Sequence, residues 1–153
     1  MNQTIERGLT QLLAGSATLE IATSAGRPWI AAAFFAEDGP YVLQLMLEAR
    51  GRTLAYLREN PAVAVMIQRG DAMAPFAQGE GHAVPAPGEA DAVRSRIIAK
   101  TPASAPLVGI PDQVAVYLHI DRWQITDVPA GWLPARVLLR PPAARPTARP
   151  AEP

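Results

Sequence analysis

Apolar residues recur along this chain with two different periods. Ile5, Leu9, Leu12 and Leu13 share one face of a helix, and Gly15 stands where a C-terminal cap belongs. From residue 17 the spacing shortens to two. Residues 17–24 alternate Leu19 and Ile21 against polar neighbours, Ala25-Gly26-Arg27-Pro28 is turn chemistry, and residues 29–36 extend towards a second turn at Glu37-Asp38-Gly39-Pro40. With residues 41–47 this predicts three strands in an antiparallel meander.

The stretch RGRTLAYLRENPAVAVMIQ, residues 50–68, changes character three times. A basic turn leads into a short helix from near Thr53, with Leu54 and Leu57 facing inward, and Asn60-Pro61 stops it. Residues 62–68 then form a strand that is apolar on both faces, as expected of a barrel wall also covered by a partner. Arg50 and Arg52 beside the free N–H groups of a helix start make an anion site.

Residues 75–84 read as a further strand, in which Gly79 and Gly81 predict a bulge or a close backbone approach. A second helix spans residues 88–100, with Glu89 and Asp91 in its first turn and Arg96 and Lys100 in its last. Val114, Val116, Leu118 and Ile120 then alternate along a long strand. The apolar parity changes at Asp121-Arg122, because Trp123 and Ile125 continue on odd positions, which predicts a bulge or bend. Six short strands with flanking helices make a small closed or split barrel, mainly β and α+β by class.

Composition narrows the function. The chain has 153 residues and forms one domain over residues 1–139. Residues 140–153, RPPAARPTARPAEP, offer five prolines and nothing to bury, so a disordered tail is expected there. The formal net charge is zero, which argues against nucleic acid as a partner. No apolar run is long enough for a membrane span, and the start lacks a signal-peptide pattern, so a cytoplasmic location is expected. Without cysteine there is no thiolate metal site, and two histidines, His82 and His119, do not make a dedicated metal centre; no metal is expected. No nucleophile triad, P-loop or carboxylate pair stands out, and no catalytic residue is assigned.

The order of these motifs resembles the pyridoxamine 5′-phosphate oxidase-like, FMN-binding split-barrel superfamily. The residues that carry the likeness are Ala22-Thr23-Ser24-Ala25-Gly26-Arg27-Pro28, Glu37-Asp38-Gly39, the run from Arg52 to Val65, and Gln78-Gly79-Glu80-Gly81-His82-Ala83. It covers residues 10–128. The resemblance implies a six-stranded antiparallel split β-barrel with short flanking helices, a homodimer, and FMN at the subunit interface. In some relatives the group is the deazaflavin F420 or haem instead. Arg52 matches the first of the family's basic pair that meets the flavin phosphate. Thr53 stands where lysine or histidine is usual, so Thr53 would donate its hydroxyl while capping the helix, and Arg50 would add charge.

Ala31, Ala32 and Ala33 are small enough either to let a flat ring lie against their strand or to face the barrel interior. Trp29, Trp123 and Trp132 are candidates to stack on the ring, Trp123 first, against the reading of all three as core or interface residues. The expectation is therefore an FMN-binding oxidoreductase acting on a small molecule, with Arg50, Arg52, Thr53, Ala31, Ala32 and Trp123 as cofactor-binding residues. The alternatives are a haem-binding or haem-handling barrel, and a cofactor-free dimeric binding module.

Overall fold

A computed structural model describes residues 2–71 and 73–142 of the chain. The alternating segments become one antiparallel sheet that closes on itself. The elements run α1 (Asn2–Ala14), β1 (Thr18–Ser24), β2 (Pro28–Glu37), β3 (Val42–Glu48), α2 (Arg52–Glu59), β4 (Ala62–Ile67) and β5 (Phe76–Pro85). After a 3₁₀ turn at Pro87–Glu89 come α3 (Ala90–Lys100), a second 3₁₀ turn at Pro102–Ser104, the one-turn helix α4 (Ala105–Val108), β6 (Gln113–Asp127) and β7 (Trp132–Leu139). The strand order is β3-β2-β1-β4-β5-β6-β7, and β3 also pairs with β6, so six strands close the barrel and β7 is added outside the ring. The sequence accounts for six strands; β7 is the seventh. The expected tail lies outside the described residues from position 143 onward.

The long strand β6 makes closure possible. Its first half, Gln113 to His119, pairs with β3, and its second half, from Arg122, pairs with β7, while β5 runs along its other edge. The predicted bulge is present: Gly81 faces Ile120 and Glu80 faces Arg122, which leaves Asp121 as the extra residue. That one-residue insertion lets Val116, Leu118 and Ile120 before it, and Trp123 and Ile125 after it, all point into the same core. Both strand glycines are close approaches. A Cβ on Gly79 would meet the Trp123 ring and Val65 at 2.9 Å, and one on Gly81 would land on the carbonyl of His119.

Helix α1 lies with Ile5, Leu9, Leu12 and Leu13 buried against the core, as its periodicity predicts. A second apolar cluster lies outside the wall, where Val93 and Ile97 of α3 and Val108 of α4 cover Ala36, Met46 and Ala115. Lys100 ties the layers together. Its ammonium pairs with Glu37, donates to the carbonyl of Leu13 at 2.9 Å and sits 3.6 Å from the centre of the Phe35 ring. Burial pushes this lysine below its ordinary pKa, and Glu37 opposes that shift. Replacing Lys100 by methionine strands Glu37 and the end of α1, and is expected to cost about 2–3 kcal/mol in urea unfolding.

Candidate functional site

The barrel wall has a gap, and the gap follows from strand pairing. β2 pairs with β1 along its length, from Pro28 to Phe34, but with β3 only at Phe35, Ala36 and Glu37. Beyond the Phe35–Leu45 pair the two strands part, and the edge of β2 from Trp29 to Phe34 has no partner on that side. Opposite it, Met46, Leu47 and Glu48 of β3 turn away into Gly51 and the start of α2. A cavity of about 300 Å³ fills the split. Because it passes through the wall, it is lined by residues of both strand parities: Ala31, Ala33 and Leu47 from within, Ala32, Phe34 and Met46 from outside. Leu107 and Val108 of α4 and Gln113 close one side. The volume sits at the lower end of small-molecule sites.

The rim at α2 carries the charge. Gly51 is the N-cap, and no side chain bonds to the first turn, so its N–H groups remain available. Thr53 therefore does not cap the helix, contrary to expectation. It is the second helical residue, and its hydroxyl accepts a hydrogen bond from the Trp29 indole at 3.2 Å. The guanidinium of Arg52 stands 4.3 Å from the centre of the Trp29 ring. The contact orients Arg52, whose guanidinium makes no hydrogen bond or ion pair among the described residues, a geometry in which it combines a cation–π contact with planar anion recognition.

Four of the six expected site residues, Ala31, Ala32, Arg52 and Thr53, line this one cavity. The alanines satisfy both readings at once, since Ala31 and Ala33 also pack partly against the barrel core. Arg50 is exposed and is not among the lining residues. Trp123 is a correction. Its side chain is 0 % exposed, lies in the core against Gly79, and donates to the carbonyl of Pro40 at 2.6 Å, so it has no free face for a ring. Of the three tryptophans, Trp29 is the one at the cavity.

Two polar lining residues escaped the sequence reading as site residues. Glu48 and Gln113 face each other across the β3–β6 ladder, at the mouth of the split. Gln113 donates its amide to the carbonyl of Leu107 at 3.2 Å, and its own carbonyl oxygen is buried without a partner. No pattern in the sequence marks either one, because their proximity depends on the β3–β6 register. The uncapped helix start and the open edge of β2 are polar features that a planar, phosphate-bearing cofactor fits.

The two histidines lie elsewhere, on the outer wall. His82 and His119 are register partners on β5 and β6, stacked with ring centres 5.2 Å apart. Burial pushes the His119 imidazole below the ordinary histidine pKa; His82 and Arg140 act in the same direction and Asp121 against it. Among the described residues, no group of three or more metal-ligating side chains comes together. No helix among them is long and apolar enough to cross a membrane.

No protein-family model matches the chain, and no curated protein matches it in sequence. Solved structures do match in fold. A Clostridium acetobutylicum protein of the pyridoxinephosphate oxidase family, related to general stress protein 26, superposes with a TM-score of 0.70 at 14% identity, over 91% of this chain and 96% of that one. A haem-binding protein from Mycobacterium smegmatis gives 0.69 at 18% identity, over 88% of this chain, which spans 57% of the other. An F420 reductase gives 0.61 at 20% identity, over 76% and 95%. The chain has the split-barrel fold shared by pyridoxamine 5′-phosphate oxidase-like proteins.

Proposed function

We propose that the split between β2 and β3 binds a flavin, FMN, and that the protein is a flavin-dependent oxidoreductase acting on a small molecule. The observation that carries this reading is the opposition, across one cavity, of a cationic rim at the uncapped start of α2 and an unpaired strand edge lined by alanine. Arg52, the α2 backbone N–H groups and the Thr53 hydroxyl hold the phosphate. The edge of β2 supplies backbone hydrogen-bonding groups to the polar rim of the ring, and Ala31, Ala32 and Ala33 leave room for its face. Flavin bound there supplies the hydride chemistry. Among the described residues, Glu48 and Arg52 are the only ionisable ones in the lining, so the protein's contribution is placement and exclusion of water.

In this reading a second copy of the chain covers the outer face of β1, β2 and β4. Ile30 is 65% exposed there, beside Ala22, Ala64 and Met66 in one shallow apolar depression. A homodimer would complete the walls of a cavity that one chain leaves open.

A thermal-shift screen with FMN, F420 and haem tests the assignment, because a ligand at a hundredfold its dissociation constant stabilises by about 2.7 kcal/mol. FMN is expected to raise the melting temperature. Arg52→Ala is expected to weaken FMN by about 10- to 100-fold in a fluorescence titration, as befits one lost charge-assisted contact of about 1.5–3 kcal/mol. An unchanged affinity would move the phosphate elsewhere.

A second reading, haem binding, draws on the stacked His82–His119 pair and on the likeness to a haem-binding fold. It predicts a Soret band lost on His82→Ala or His119→Ala and indifferent to Arg52.

A further inference from the structure

We infer that Trp29 sets the phosphate grip of the cavity, as a strut from the β2 edge that holds the Arg52 guanidinium and the Thr53 hydroxyl in place before a ligand arrives. The inference rests on the flavin reading and deepens it. The two halves of the site belong to different elements. The alanines lie on β2 and the donors on α2, and beyond the Phe35–Leu45 pair no ladder joins β2 to the strand that leads into α2. Trp29 crosses that gap. Its backbone is fixed on β2 by pairing with Thr23 of β1, while its side chain reaches both donors.

Each contact leaves a donor to spare. An indole N–H can only donate, so the direction of the 3.2 Å bond between Trp29 and Thr53 is fixed. The hydroxyl oxygen accepts there and keeps its own proton to give. The Arg52 guanidinium lies over the Trp29 ring, a contact that uses its charge rather than its N–H groups. An arginine without such a contact samples many rotamers, and ordering it on binding subtracts from the affinity it supplies. Arg52 is exposed and Trp29 half-buried, so the indole is the firmer of the two. Both donors line the cavity beside the uncapped start of α2. Trp29 acts through Arg52 and Thr53, and is a positioning residue in this account.

The test compares FMN with riboflavin, which has the same ring and ribityl chain but no phosphate, on the full-length chain and on Trp29→Phe and Trp29→Leu. In fluorescence titrations the ratio of the two dissociation constants measures the phosphate grip alone. The natural chain is expected to favour FMN by about tenfold or more, through its charge-assisted contacts. Trp29→Leu loses both contacts. It is expected to shrink that ratio by about three- to tenfold while riboflavin binds within about twofold of its natural affinity. Trp29→Phe keeps a weaker ring beside the guanidinium and loses the indole N–H, so it is expected to fall between. Trp29→Leu combined with Arg52→Ala is expected to cost less than the two losses added, since one change removes what the other acts through. A role confined to shaping β2, or a stack on the flavin ring, would weaken both ligands alike and leave their ratio unchanged. That outcome, or losses that add in full, overturns the inference and leaves the FMN site standing. A natural chain that binds FMN no better than riboflavin overturns both. If Trp29→Leu does not fold, Trp29→Phe decides.

Discussion

Gly81→Ala is expected to be among the most damaging single changes in this chain, costing about 3–4 kcal/mol, at the upper end of the range for point substitutions. A methyl group at Gly81 lands on the carbonyl of His119, which belongs to the strand paired with it. Backbone on both sides must move, and it cannot move freely: the bulge at Asp121 sets the phase of the rest of β6, including Trp123 and Ile125. Gly79→Ala is a useful contrast, since the atoms in its way belong to the side chains of Trp123 and Val65 and not to paired backbone. Urea unfolding of the two variants measures the difference. Equal, small losses would show that the bulge adapts and that the tight approach at Gly81 matters little.

The second large effect is expected at Trp123. Truncation to alanine removes the largest fully buried side chain of the core, for which losses of about 3–5 kcal/mol are usual. The indole also ends on the carbonyl of Pro40, in the turn between β2 and β3. Trp123→Phe keeps a six-membered ring but removes that bond and leaves a small void, so it is expected to cost about 1–3 kcal/mol, less than the alanine. Since Trp123 does not line the split, the phenylalanine variant is expected to bind any cofactor with unchanged affinity. A large change in affinity with a small change in stability would return Trp123 to the site.

These two positions also mark how far the sequence could be read. The parity switch at Asp121-Arg122 located the bulge, because a strand with one buried face must insert a residue to keep its apolar side inward. The same switch showed Trp123 to be in phase with the core, yet an aromatic in phase with the core and one lining a pocket look alike until neighbours are known. β7 escaped because only Leu138 of its eight residues is fully buried, so it has no alternation to detect.

The arginine rim was legible for a local reason, since a helix start and its basic flank are contiguous in sequence. The cavity was not. It exists because the β2–β3 ladder ends at Phe35–Leu45, and nothing in either strand announces where pairing will stop. Gln113 comes to line it only once β6 has docked beside β3.

The added strand carries a consequence for solubility. Closing six strands into a ring leaves them no outer border apart from the split at β2, yet β7, joined to β6 alone, ends the series with a border of its own. A long, flat, greasy border invites another molecule to dock as the next strand and so seeds polymers. Here Leu133, Val137 and Leu139 are exposed, but Pro134 withholds one amide and Arg136 puts a charge between them. Those two residues act as gatekeepers for the open flank, and their replacement by valine is the change expected to turn the barrel towards aggregation.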